Sequence, residues 1–239
     1  MRSAFFRAAF VAVAALILSG CSVEHRVTGP LPIRPPVAPV ANSPTNAIRV
    51  FEWGWNNRRQ DSFRHVLAGD FQFIFAAGDS AGQFFPGARI DRDHLLEILG
   101  YMFVGGGTAP RVTSVVLALE PTLLVLQDSR PGKDPNWHKE IVSSAVITIL
   151  TEAGEEYRAT GYERFFEVRG DSATIPADLV TEGVVPDSTR WYIDEWQEEY
   201  AGALPRALPA DLQAPLPAGS TTWGRILALY RPPPVLPRH

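Results

Sequence analysis

The chain has 239 residues, of which 46% are hydrophobic and 20% are charged, and its formal net charge is −4. This length and apolar content are sufficient for one domain with a sizeable core. A mildly acidic chain lacks the clustered positive charge that nucleic acids attract, so no nucleic acid partner is expected. The single cysteine, Cys21, excludes a disulfide framework within the chain.

Residues 1–20 have the pattern of a secretory signal peptide. Arg2 and Arg7 provide a positively charged start, and the apolar run AAFVAVAALILSG follows them. This run is shorter than the roughly 20 apolar residues that a membrane-spanning helix needs. An ordinary signal peptide or a short membrane anchor with an incidental cysteine is the alternative interpretation.

The end of this run, Leu18-Ser19-Gly20-Cys21, resembles the lipobox of bacterial lipoproteins, in which the cysteine becomes the lipidated first residue. The resemblance implies that Cys21 carries acyl chains such as palmitate and attaches the protein to a membrane. Ser22 stands where an aspartate would imply retention in the inner membrane, so the expected location is the cell envelope, on the outer membrane facing the periplasm.

Proline-rich segments divide the rest of the chain. Residues 21–42 are predicted to be an extended tether, because proline favours stiff, open backbone. Residues 43–200 are predicted to form the folded domain. Residues 201–239 are predicted to be a proline-rich extension containing an amphipathic helix at 221–231, which docks on its own domain, covers a pocket mouth or contacts a partner.

The folded part begins with helix patterns. Ser43-Pro44 supplies a capping residue and a proline for the first helical position, and its apolar residues recur at helical spacing. A short second helix after Asp61, a strand over 71–75 and a third helix after Asp91 follow. The apolar residues that define these elements are Ile48, Phe51, Trp55, Phe71, Phe73, Phe75, Leu95, Leu99 and Phe103.

The second half of the domain is nearly all strand. Two β-rich runs flank a turn at 120–122, and two long strands are predicted at 138–151 and 155–170, with a final strand at 190–199. Strands of such length must bend, and Gly161 is a position where a bend is possible. Helices before antiparallel strands indicate an α+β domain with three helices on one face of a curved sheet.

The segments NAIRVFEWGWNNRRQDSFRHVLAGDFQFIF and ERFFEVRGDS with TRWYIDEWQEE resemble the opening and closing elements of the nuclear transport factor 2-like (NTF2-like) superfamily, which includes ketosteroid isomerase and SnoaL-like proteins. The resemblance implies a cone-shaped α+β fold, with a strongly curved antiparallel sheet and an additional C-terminal helix. This superfamily contains enzymes, ligand carriers and interaction domains, so the fold does not select a function.

The resemblance implies an apolar pocket, and its predicted lining residues are Trp55, Phe73, Phe103, Tyr157 and Trp196. Acid–base enzymes need a carboxylate or histidine base facing a hydroxyl or acid. Candidates for such roles are Asp70, His138, Tyr162 and Asp194, and an inward-facing pair of Tyr162 with Asp194 would favour an enzyme. Ketosteroid isomerase has a tyrosine in its first helix, where this chain has Trp53 and Trp55, and neither can act as an acid.

Other chemistry has weaker support in the sequence. His65 and His94 lie on charged helices and are expected to face solvent. The five histidines show no metal-binding spacing, and the acids of 194–199 are interpreted as a solvated strand end, so neither a metal nor a cofactor is expected. The sequence therefore favours a non-catalytic domain that binds a small apolar ligand or another envelope protein, with a homodimer possible. The alternative is a SnoaL-like isomerase or hydrolase.

Overall fold

The first helix, α1 (Pro44–Asn56), begins at its predicted cap. Ser43 Oγ accepts a hydrogen bond from the Asn46 backbone N–H at 3.1 Å, in a computed structural model that describes residues 37–171, 174–199 and 221–232. Helix α2 (Gln60–Val66) follows, and α3 (Arg92–Val104) is capped by the Asp91 carboxylate, which accepts the His94 N–H at 2.9 Å. The described residues from Ala38 onward belong to one unit.

Seven strands form a single sheet against which these helices pack. They pair in the order β2-β1-β7-β6-β5-β3, and β4 also pairs with β5. The strands are β1 (Leu67–Ile74), β2 (Arg89–Asp91), β3 (Val112–Leu119), β4 (Leu124–Gln127), β5 (His138–Thr151), β6 (Glu156–Gly170) and β7 (Asp187–Glu199).

One strand pairing differs from the expected antiparallel sheet. Strand β1 pairs with β7 in parallel, whereas every other pairing among the described strands is antiparallel. Parallel neighbours cannot be joined by a hairpin and need a long connection between them. Here that connection comprises β2, α3 and β3–β6, so the sheet is mixed. The α+β class is confirmed.

Irregularities between β6 and β7 determine which side chains face the helices. Phe166 pairs with Glu195 and Glu167 with Ile193, so Asp194 is an extra residue on β7. An extra residue reverses the facing of the strand beyond it. The register of this pair shifts again at Arg169, whereas Gly161, where a bend was possible, stays in register with Ala145 of β5.

The two faces of the sheet carry separate apolar clusters. Phe165 and Trp196 belong to the main core beneath α1–α3, whereas Val168 and Tyr192 belong to a small second cluster. We call these the inner and outer faces. The outer cluster packs against α4 (Ala177–Thr181), which the sequence analysis did not predict because five residues are too few for helical periodicity.

A last helix, α5 (Trp223–Leu229), packs on the inner face. Its Thr222 cap accepts the Arg225 N–H at 3.1 Å. Four residues that recur at helical spacing in this helix are buried in the main core: Trp223, Ile226, Leu227 and Tyr230. The helix therefore docks on its own domain, which the sequence analysis gave as one of its alternatives.

Candidate functional site

The interior, between the inner face and α1–α3, is packed with aromatic rings. The Trp223 indole of α5 lies 5.0 Å, centroid to centroid, from both Trp55 and Trp196, in edge-to-face contact. Phe73 is 4.6 Å from Trp196, and Phe103 is 5.8 Å from Trp55. Such contacts stabilise a core beyond the area they bury. Four of the five predicted ligand-lining residues thus lie together, but in this structure they contact one another.

Tyr157, the fifth predicted lining residue, lies at the margin of this cluster. Its ring packs against the main core, and its hydroxyl donates a hydrogen bond to the Glu155 carboxylate at 3.0 Å. Ligand binding by all five residues stays a prediction.

Two glutamates that the sequence analysis did not select as site residues are buried at the interior. Glu163 is wholly buried and its Oε2 accepts the Trp196 indole N–H at 2.5 Å, while its Oε1 accepts no hydrogen bond from the described residues. Burial, reinforced by the Glu198 charge, raises the pKa of Glu163 well above its usual range. Burial therefore favours the neutral acid form of Glu163.

Glu198 holds the start of α5. Its two carboxylate oxygens accept the backbone N–H groups of Trp223 at 2.7 Å and Gly224 at 3.2 Å. Burial raises the pKa of Glu198 to about 7, against the effect of these two hydrogen bonds. The group is thus half-ionised at neutral pH, and its ionisation is coupled to the seating of α5.

A separate cleft opens on the outer face. It has a volume of about 430 Å³ and is lined by three of the four predicted catalytic candidates: Asp70 of β1, His138 of β5 and Asp194 of β7. Val168, which pairs with His138 and belongs to the outer cluster, also lines it. The remaining lining residues are Lys133, Asp134, Trp137, Asp171 and Thr174.

An arginine that was not predicted organises this cleft. Arg130 donates to Asp128 at 2.6 Å and to Asp194 at 2.8 Å, and its guanidinium lies 4.1 Å from the centroid of the Phe166 ring. Although burial opposes it, hydrogen bonding from Arg130 lowers the pKa of Asp128. Asp194 is therefore ion-paired with the same guanidinium that contacts Asp128.

His138 is the remaining acid–base candidate in the cleft. Burial, together with the nearby Lys133 ammonium, lowers the pKa of His138, so the imidazole is neutral at pH 7. Its buried Nδ1 has no hydrogen-bond partner among the described residues. Asp70 is exposed at the edge of the cleft. The arrangement suits binding of a polar group better than proton transfer.

Tyr162 lies elsewhere on β6. It pairs with Glu199, whereas Asp194 lies beside the pairing of Phe166, four residues away, which is about 13 Å along a strand. The structure therefore does not bring Tyr162 and Asp194 together as an inward-facing pair, because the bulge turns Asp194 toward Arg130 on the outer face.

Two further expectations concern charged residues. His65 and His94 lie beside Asp61 and Asp91 on their helices, and the His94 side chain is 54% exposed, as expected. The interpretation of 194–199 as a solvated strand end was wrong, since Asp194 and Glu198 are each only 8% exposed. Alternation in β7 gave no sign of this, because both acids are buried by contacts from distant segments.

No group of three or more histidine, cysteine or acidic side chains arranged to hold a metal ion occurs within the described residues. Among the helices of that same part of the chain, none is long and apolar enough to cross a membrane. Cys21, the signal segment and most of the predicted tether lie outside the described residues.

The chain is similar at low identity to several solved structures. No protein-family model and no curated protein matches the sequence. Among solved structures, an NTF2-like superfamily protein from Salmonella enterica serovar Typhimurium is 12% identical, with a TM-score of 0.42 over 64% of this chain and 85% of its own.

Two other solved structures are similar to a comparable extent. An NTF2-like protein of unknown function in nutrient uptake from Rhodospirillum rubrum is 12% identical, with a TM-score of 0.40 over 65% of this chain and 96% of its own. A ketosteroid isomerase-like protein from Erwinia carotovora is 14% identical, with a TM-score of 0.40 over 65% and 91%. All three TM-scores are below 0.5, so the NTF2-like fold stays a prediction, and this similarity does not address the activity.

Proposed function

We propose that the protein is a lipid-anchored envelope lipoprotein whose NTF2-like domain binds a small apolar ligand without turning it over, with another envelope protein as the alternative partner. The observation that carries this proposal is the occupied interior. The Trp223 indole lies between Trp55 and Trp196. The protein's own side chain is therefore a flat aromatic group that occupies the position of the ligand pocket expected in a cone-shaped domain.

The state of the interior carboxyl groups favours binding over turnover. Glu163 accepts the Trp196 N–H, and Glu198 accepts two N–H groups of α5, so both are engaged by the protein's own donors. General acid–base catalysis requires a group within hydrogen-bond reach of the substrate. Neither glutamate meets this requirement while α5 is seated.

Membrane attachment is proposed from the sequence around Cys21 alone. The test is metabolic labelling with radioactive palmitate and fractionation of cells that express the wild-type chain or Cys21→Ala. We expect label and membrane association for the wild type and neither for the variant. A labelled or membrane-bound Cys21→Ala chain would show that the anchor is a different one.

Ligand binding is tested by native mass spectrometry of the full-length chain extracted from membranes in detergent. The expected spectrum contains a discrete additional mass that is lost on denaturation and belongs to an apolar compound. The same spectrum reports the oligomeric state. A bare mass, together with a co-purified envelope protein, would replace the ligand with a protein partner.

One observation favours an acid–base enzyme as the second candidate. The raised pKa of Glu163 is typical of carboxylic acids that donate a proton or hydrogen bond in catalysis. If the compound found by native mass spectrometry is chemically altered on incubation with the wild-type chain but not with Glu163→Gln, the enzyme is correct. An unaltered compound with both chains supports the binding function.

A further inference from the structure

Helix α5 covers the interior through a small number of close contacts. Besides the Trp223 indole, Gly224 lies so near the Phe75 ring that a Cβ at this position would come within 2.4 Å of a ring carbon. At the other end of α5, the Tyr230 hydroxyl donates to the Pro110 carbonyl at 2.9 Å. We call the part of the inner face that α5 covers, which includes Trp55, Trp196 and Phe75, the seat of α5. The seat therefore fits the Trp223-Gly224 pair specifically.

The seat also contains acids with little opposing charge. Glu198 and Asp79 contact the start of α5, where the Thr222 hydroxyl donates to Asp79 at 2.5 Å. The charge of Glu198 repels that of Glu163, and the charge of Asp79 repels that of Glu198. Arg225, 57% exposed, lies 3.7 Å from Asp79, and Glu199 adds a further negative charge that is paired with Arg164 at 3.1 Å. Burying ionised carboxylates without matched cations is costly.

The connection to α5 is much longer than its seating requires. Strand β7 ends at Glu199, opposite Tyr162, and Thr221 forms a bridge to Ala159 on the same strand, β6. These points are three residues apart, about 10 Å. The 21 residues numbered 200–220 can extend to roughly 70 Å. The chain length therefore lets α5 leave its seat and stay attached.

We propose that α5 is a displaceable cover of the interior, that ionisation of Glu163 and of Glu198, whose carboxylate contacts the start of the helix, releases it, and that its seat then binds a flat apolar ring compound. This deepens the proposed function, on which the identity of the ligand rests. The vacated seat would present the Trp55, Trp196 and Phe103 rings, which now surround or adjoin the Trp223 indole.

The direction of the pH effect follows from Glu198. In the seated state burial raises the pKa of Glu198 from 4.5 to about 7, whereas release of α5 returns this carboxyl group to water. Between pH 4.5 and 7, Glu198 is more fully protonated when α5 is seated than when it is released. Rising pH therefore weakens seating, by up to about tenfold for each pH unit within this window.

The first test is hydrogen exchange of the full-length chain in detergent at pH 5.5 and 8.5, corrected for the chemical exchange rate. We expect the protection of residues 221–230 to fall at the higher pH by at least tenfold more than that of β5. Glu198→Gln should lose this dependence, because it keeps an acceptor but cannot ionise. Glu195→Gln, on the same strand and partnered by Gln197 rather than α5, should retain it.

The second test uses N-phenyl-1-naphthylamine, a neutral, flat fluorescent probe, as the ligand. The wild type should bind the probe at pH 8.5 and at least tenfold more weakly at pH 5.5, and Glu198→Gln should bind weakly at both. If Glu198→Gln does not fold, Glu163→Gln, which removes the other interior acid, should show a reduced pH dependence.

The outcomes separate the two proposals. Equal protection of α5 at both pH values, or the same fall in Glu198→Gln, would overturn the displaceable cover. Release of α5 without probe binding would show that the helix moves but that the seat binds no flat ring. A native ligand bound while α5 stays protected would leave the proposed function intact and reject the cover.

Discussion

The interior and the outer cleft lie on opposite faces of the same sheet and differ in almost every physical respect. The interior is closed, aromatic and contains acids whose pKa values are raised by burial. The cleft is open and polar, and its Asp194 is paired with Arg130, which also binds the neighbouring Asp128. The comparison shows that buried carboxyl groups can mark two kinds of site. In the interior, burial raises the pKa and favours the protonated form, whereas beside Arg130 the pKa of Asp128 is lowered and the charged form is favoured.

The residues predicted for ligand binding and those predicted for catalysis separate along this division. Trp55, Phe73, Phe103 and Trp196 are in the interior, whereas Asp70, His138 and Asp194 line the cleft. An acid–base enzyme of this fold needs both sets in one place. Their separation means that these candidates do not form an acid–base site beside the predicted lining residues.

The largest expected effect is on the interior. Trp223→Ala removes the ring between two other tryptophans and leaves a cavity, so we expect the free energy of unfolding to fall by about 3–5 kcal/mol. Thermal and urea denaturation measure it. Leu229→Ala on the same helix, where the side chain is 41% exposed, is the matched control and should cost less than about 1 kcal/mol.

The pH dependence of stability should distinguish the interior acids from the paired acids of the cleft. Because the folded pKa of Glu198, about 7, exceeds its ordinary value of 4.5, its contribution to stability is complete below pH 4.5 and is lost as pH rises to 7. The loss should be about 3 kcal/mol. Asp128, whose pKa is lowered, acts in the opposite direction below pH 4.

Melting temperature measured from pH 4 to 9 should therefore be highest in mildly acidic buffer. Glu198→Gln should flatten the decline toward pH 8. The lowered pKa of His138 acts in the opposite direction, because its contribution to stability is lost as pH falls below 6.5. This contribution is the same in the wild type and in Glu198→Gln. A decline that is equally steep in Glu198→Gln would assign the pH dependence to other groups.

In the cleft, Arg130→Ala leaves Asp128 and Asp194 without their shared cation. The expected cost is about 2 kcal/mol at pH 7, and less at pH 4, where protonation relieves the repulsion. The matched control is Arg111→Ala, which breaks an exposed pair with Glu152 and should cost less than about 1 kcal/mol. Equal losses for the two variants would mean that Arg130 does not organise the cleft.

The smallest effect concerns Glu167, which is wholly buried and whose two oxygens have no hydrogen-bond partner among the described residues. Replacing such a group by an apolar one of similar volume removes a desolvation penalty. Glu167→Leu should raise stability by about 1 kcal/mol in chemical denaturation. Glu163→Leu, which also loses the Trp196 hydrogen bond, should gain less or lose stability.

Local patterns predicted much of the fold. The Ser43 cap, the apolar stripe of α1 and the 138–151 strand are where the sequence placed them, because capping and periodicity are properties of neighbouring residues. The parallel pairing of β1 with β7 was not predictable in this way, since it depends on how distant strands meet.

The sites were harder to predict than the elements. Asp70, His138 and Asp194 were selected singly, and only the strand order and the bulge at Asp194 bring them to one cleft. Glu163 and Glu198 look like ordinary acids of exposed strand positions, and Glu198 is covered by α5, more than 20 residues further along the chain. The one available signal was the alternation that places Glu163 on the same side as Phe165.

The central claim is that the interior is a seat for a flat aromatic group, and binding of free indole to Trp223→Ala tests it most directly. If the seat survives truncation of Trp223, 1 mM indole should raise the melting temperature of this variant by several degrees and leave that of Leu229→Ala unchanged, because a ligand that binds only the folded state stabilises it. A folded Trp223→Ala chain whose melting temperature does not respond to indole would contradict the claim.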